Sequence, residues 1–111
     1  MSIVLGLDVG TSGTKAVAIN AAGRPVASAL VEYPLLTPKP GWAEQPPAEW
    51  KRAALEALTK LAHSPNVEPA EVKGLGLTGQ MHGSVFLDQD HRVLRNAILR
   101  CDQRTAKQCE Y

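Results

Sequence analysis

The sequence has 111 residues, 44% of them hydrophobic, which is enough for one modest core and at most one domain. Twelve Lys and Arg against eleven Asp and Glu leave a net charge of +1, with no basic stripe able to bind nucleic acid. No stretch approaches the roughly 20 apolar residues of a membrane span, and Met1-Ser2-Ile3-Val4-Leu5 lacks the features of a secretion signal, so a cytoplasmic protein acting on small ligands is expected.

In chain order, Ile3 to Asp8 is a short apolar run closed by Gly10, Ser12 and Gly13, the pattern of a buried strand ending in a tight turn. Lys15 to Ile19 and Pro25 to Tyr33 alternate in polarity around Asn20-Ala21-Ala22-Gly23, giving two more strands in an antiparallel meander. Four prolines between Thr37 and Pro47 predict an ordered, extended loop. Pro47 suits a first helical turn and Glu49 the positive helix end. Trp50, Ala54, Leu55, Leu58, Leu61 and Ala62 recur at helical spacing, and His63-Ser64-Pro65-Asn66 ends the helix.

Val72 to Thr78 predicts a fourth strand leading into the loop Gly79-Gln80-Met81-His82-Gly83. Ser84 to Leu94, folded about Asp88-Gln89-Asp90-His91, reads as a hairpin. Ala97-Ile98-Leu99 is extended, and Asp102 is placed to cap a terminal helix. Cys101 and Cys109 fit neither redox nor metal-ligand spacing and are read as free thiols. Trp50 is expected in the core, and His63 and His91 in solvated turns. Three meandering strands, a helix and a further strand predict a mixed α/β sheet of the ribonuclease-H-like kind.

The richest stretch chemically is Asp8-Val9-Gly10-Thr11-Ser12-Gly13-Thr14-Lys15. Glycine allows close approach of phosphate oxygens to backbone amides, and Thr11 and Ser12 add hydroxyl donors. Asp8 at the strand end suits a magnesium ion held largely through water, because Mg²⁺ uses few carboxylates. Lys15 begins a strand, so this is a turn between antiparallel strands and not a Walker loop opening a helix. By residue type alone, an ordinary Gly/Ser/Thr hairpin is an equal alternative. In the second loop, His82 can donate or accept hydrogen bonds to a ligand and Met81 offers a pliable apolar face, against the alternative of a backbone-bonded histidine and a gap-filling methionine.

Asp8-Val9-Gly10-Thr11-Ser12 resembles the first phosphate motif of the actin-like ATPases, and specifically of the FGGY carbohydrate kinases. Gly79-Gln80-Met81-His82-Gly83 and Gly41-Trp42-x-Glu44-Gln45-x-Pro47-x-x-Trp50 extend the resemblance over essentially the whole chain, toward the xylulokinases of that family. It implies ATP and Mg²⁺ as cofactors and D-xylulose or a related small sugar as substrate. Asp8 would act in catalysis and on the metal, with Gly10, Thr11, Ser12 and Lys15 on the nucleotide phosphates. Gln80, Met81, His82 and Asp102 would bind the sugar, and the full-length enzyme would form a possible homodimer.

Asp102-Gln103-Arg104 resembles the end of a Trp-x-Asp-x-Arg pattern, but Arg100 stands where tryptophan is expected. That change alters both packing and charge in the pocket, and an equal alternative leaves Asp102 and Arg104 as a helix cap and a surface charge. In the family, the catalytic base and the adenine site lie beyond these residues. Residues 1–111 therefore resemble a partial N-terminal domain, inactive alone. Kinases for ribulose, glycerol or gluconate, and a non-catalytic binding module of the same fold, are the alternative readings.

Overall fold

The computed structural model describes residues 2–110. Strands β1 (Ile3–Val9), β2 (Gly13–Asn20) and β3 (Pro25–Glu32) form the expected meander, with β1 and β2 in register from Ile3↔Asn20 to Val9↔Thr14. Asn20 makes the β2–β3 turn tight, its Oδ1 accepting from the amides of Ala22 and Arg24. Helix α1 (Pro47–Ala62) then carries the chain back so that strand β5 (Val72–Gly79) pairs parallel with β1, giving the order β3-β2-β1-β5. A parallel neighbour needs such a crossover, because a short turn can only reverse the chain.

One short strand and its pairing with the expected extended segment at Ala97 were not anticipated. Glu44–Gln45, inside the proline-rich loop, is strand β4, and it pairs antiparallel with β6 (Ala97–Ile98). The predicted hairpin over residues 84–94 is a looser turn, held by a single bridge, Leu87↔Val93, and bonds such as Leu94 N to Phe86 O, without regular strands. The terminal helix α2 (Ala106–Cys109) is one turn long and starts after Thr105, so Asp102 does not cap it. Its Oδ1 instead accepts from the Arg104 amide.

The core lies between α1 and one face of β1–β3. Ala53, Ala57 and Leu61 form the buried line of the helix, set against Ile3, Leu7, Ala16, Ala18, Val31 and Tyr33. Spacing of four residues keeps that line on one face, and Trp50, Ala54 and Leu58 flank it. Leu55, expected in the stripe, is 57% exposed, because at 3.6 residues per turn it falls on the far side from that line. Since α1 sits over β2 and β3, the β5 side of the sheet is uncovered and Leu75 and Leu77 are exposed. Among the described residues no helix is long and apolar enough to cross a membrane.

Candidate active site

Strands β1 and β5 run the same way, and Asp8↔Thr78 and Val9↔Gly79 are neighbours at their carboxyl ends. The loops that follow, Gly10–Ser12 and Gln80–Gly83, therefore leave the sheet side by side. Ligands in open α/β sheets bind at this kind of edge. A cleft of about 450 Å³ opens there, lined by Asp8, Gly10, Thr11, Gly79, Gln80, Met81, Arg100 and Cys101.

The first turn is tied down through its carbonyls. Tyr33 Oη donates to Gly10 O, and Gln45 Nε2 donates to Thr11 O. The Tyr33 amide bonds Ser12 O at 3.3 Å, and the Gly10 amide closes the turn on Gly13 O at 3.0 Å. The Thr11 and Ser12 amides, by contrast, have no acceptor among the described residues. Carbonyls held inward with amides free is the polarity that a bound anion requires. Burial pushes the Tyr33 phenol upward, which keeps it a donor to Gly10 O.

Gln80 joins the two loops. Its amide bonds Val9 O at 2.9 Å, its Oε1 accepts from Thr11 Oγ1 at 3.2 Å, and its Nε2 donates to Gln45 Oε1 at 3.3 Å. Gln45 is fully buried, and its Oε1 also accepts from Trp50 Nε1 at 2.9 Å. Gln45 and Tyr33 thus hold the site from behind, roles that sequence reasoning did not assign. A glutamine in a proline-rich loop and a tyrosine closing an alternating strand carry no local mark of a contact 34 or 23 residues away.

The predicted residues divide by position. Asp8, Gly10, Thr11, Gln80 and Met81 meet at the cleft, while Ser12 is exposed at the tip of the turn. Lys15 sits opposite Asp8 across the ladder and faces a neighbouring apolar recess on the sheet with Gly6, Val17 and Leu77. His82 adopts φ 62°, a left-handed conformation uncommon outside glycine, and borders a separate recess with Trp50 and Val85 on the other side of Gln80.

Asp102 is turned away from the cleft. Its carboxylate, 2% exposed, accepts from the Ala43 amide at 2.7 Å and from the Arg104 guanidinium at 2.7 Å. Arg104 also bonds Glu44 at 2.6 Å and stacks over Trp42 at 3.6 Å, and Arg95 reaches Glu44 at 2.6 Å. Hydrogen bonds from Arg104 lower the Glu44 carboxyl and hold the Asp102 carboxyl well below the usual carboxylate range. The predicted Asp–Arg pair therefore braces the Trp42–Gln45 loop, and through Gln45 it stands behind the first turn.

Among the described residues no group of three or more His, Cys, Asp or Glu is placed to hold a metal ion. Among the described residues, Asp8 is the one carboxylate on the cleft. That arrangement fits a magnesium ion arriving on a nucleotide, which needs one or two carboxylates and keeps most of its waters, and does not fit a self-contained metal cage.

Residues 3–111 match the N-terminal domain of the FGGY family of carbohydrate kinases. The chain is 45% identical over 109 residues to xylulose kinase of Bacillus subtilis, a match covering 98% of this chain and 22% of that protein. Among solved structures, a xylulose kinase from Brucella ovis superposes with a TM-score of 0.88 at 43% identity, over 97% of this chain and 23% of that one. A gluconate kinase from Lactobacillus acidophilus superposes with a TM-score of 0.89 at 29% identity, over 98% and 22% of the two chains. The present chain thus spans about a fifth of the length of these relatives.

Proposed function

The chain belongs to the FGGY family of carbohydrate kinases, and from that premise we propose that it is part of the N-terminal domain of an ATP-dependent kinase that phosphorylates D-xylulose to D-xylulose 5-phosphate. The observation that carries the reading is the cleft itself, in which the anion-ready turn at Gly10–Ser12 and the Gln80–Met81 loop face one space. A cleft of about 450 Å³ has room for a pentose beside a phosphoryl group. Two relatives whose names specify xylulose, at 45% and 43% identity, favour that sugar over others.

In this reading the Thr11 and Ser12 amides and hydroxyls bind and orient the nucleotide phosphates, and Asp8 holds the magnesium that travels with them. The metal, when bound, neutralises charge on the phosphates. Gln80 and Met81 position the sugar, one by hydrogen bonding and one by apolar contact, with His82 supporting from the adjoining recess. The acceptor oxygen forms its bond to the terminal phosphorus as the bond to ADP breaks. Asp8 is committed to the metal, so the base that takes the acceptor proton is assigned to a part of the protein beyond these residues. Lys15 contributes positive charge from the sheet face beside Asp8.

The test is coupled ATP turnover of the full protein with D-xylulose, D-ribulose, glycerol and gluconate, comparing wild type with Asp8→Asn and His82→Ala. D-Xylulose should have the highest kcat/KM. Asp8→Asn should lower kcat by about a hundredfold or more, the scale of losing one electrostatic element of a transfer site. His82→Ala should act mainly by raising KM. Turnover that is independent of every sugar would refute the kinase reading, and preference for another sugar would refute the substrate.

A further inference from the structure

Three arginines lie on the segment that follows the exposed turn, at positions 95, 100 and 104. Arg95 and Arg104 are committed to Glu44 and Asp102. Arg100 is different, because it is exposed, has no ionic or hydrogen-bonding partner among the described residues, and lines the cleft with Gly10, Thr11, Gln80 and Met81. Its nearest elements are anchored: Leu99, one residue before it, is buried and donates its amide to Ala43 O, and the Asp102 amide returns to Leu99 O. The backbone therefore presents this side chain to the cleft from a fixed position.

A guanidinium is a planar fork of donors that matches an oxyanion with two or more terminal oxygens. The space it borders is also lined by Gly10 and Thr11, on the turn whose Thr11 and Ser12 amides have no acceptor among the described residues. Phosphorylation changes the charge of the sugar at this spot, since a neutral hydroxyl becomes a phosphate monoester. We propose that Arg100 is a specificity-determining residue that binds the phosphate of the phosphorylated sugar, so that the cleft holds its product more tightly than its neutral substrate. This rests on the kinase reading above, and it makes Arg100 a brake on turnover through product inhibition.

The experiment compares the full wild-type protein with Arg100→Met and Arg100→Lys, measuring the inhibition constant of D-xylulose 5-phosphate and the KM for D-xylulose. Calorimetric binding of the sugar phosphate is measured in parallel. Loss of a charge-assisted bond predicts an inhibition constant raised about ten- to hundredfold in Arg100→Met, with KM for the neutral sugar moving much less. Arg100→Lys, with charge but no fork, should fall between. Lys73→Met, at the far end of β5 and about 20 Å from the cleft at ~3.3 Å per residue, controls for net charge and should change neither constant.

An inhibition constant within twofold of wild type in Arg100→Met would overturn the assignment. So would gluconate turnover that depends on Arg100, because the fork would then be reading a carboxylate on the substrate. If no sugar is phosphorylated by wild type, the kinase reading fails on that result alone. The calorimetric arm still decides Arg100, because sugar phosphate binding unchanged in Arg100→Met refutes it and binding weakened at least tenfold sustains it.

Discussion

Replacing Gln45 with leucine removes a fully buried amide that meets three partners at once. Thr11 O loses the donor that faces it, and Trp50 Nε1 loses its acceptor, both in partly buried settings. A polar group stranded on burial costs about 1–3 kcal/mol, and Gln80 can turn to water, so the two stranded groups, each only partly buried, should together cost about 2–4 kcal/mol, the lower part of the doubled range. Equilibrium urea unfolding followed by tryptophan fluorescence should show the midpoint falling by about 1–2 M at an ordinary denaturant slope. Gln45→Glu sharpens the test, because it keeps an acceptor for Trp50 Nε1 while setting a carboxylate against Thr11 O. It should destabilise at least as much as leucine. A leucine variant within about 0.5 kcal/mol of wild type, or a glutamate variant as stable as wild type, would refute the claim that Gln45 holds the turn.

Gly13→Ala should cost about 1–3 kcal/mol, since the added Cβ would lie 2.7 Å from Val31 O on the adjacent strand. Gly74→Ala, where nothing lies within 4 Å, should leave stability unchanged or slightly raised in the same unfolding assay. The Glu44 and Asp102 carboxyls titrate below their unfolded values, so their contribution to stability is present above the ordinary carboxylate range and is lost as pH falls through the lowered values. Thermal midpoints should therefore drop between about pH 5 and pH 2, with a shallower drop in Glu44→Gln, and equal slopes in the two proteins would refute this linkage.

The elements that sequence made legible are those whose signal is local. Alternation from Pro25 onward, the apolar run at Ile3 and the glycines at 10 and 13 each state a strand or turn within a few residues, and the structure follows them. The parallel neighbour was legible only as a strand, since its pairing with β1 depends on where the crossover helix returns. The pairing of β4 with β6 joins two-residue segments about fifty positions apart, and so short a pair has no period to detect. Leu55 misled because hydrophobic side chains draw attention over alanine, whereas the helix seat is built from Ala53 and Ala57.

At the site, Asp8 and Thr11 were marked by residue chemistry and by their place after the first strand, and Gln80 by the resemblance alone. Asp102 was marked too, but its partners, the Ala43 amide and Arg104, turn it inward, and the amide in particular lies 59 residues upstream. The resemblance to the sugar kinases supplied what residue types alone left open, namely the expectation that the Gly/Ser/Thr turn meets phosphate.

The alanines at the centre of the helix–sheet contact have a mechanical consequence. Ala16, Ala18, Ala53 and Ala57 are all at 0% exposure, and alanine has no rotamers through which one layer could creep over the other. Gln45, which grips Thr11, lies two residues before the first residue of that helix. The Gly10–Ser12 turn is thereby referenced to a stiff seat, while residues 81–87 of the opposite loop are exposed throughout. Compliance among the described residues is concentrated on the loop that follows β5, where thin burial makes local opening cheapest, so a ligand entering the cleft would meet one wall that holds its shape and one that gives.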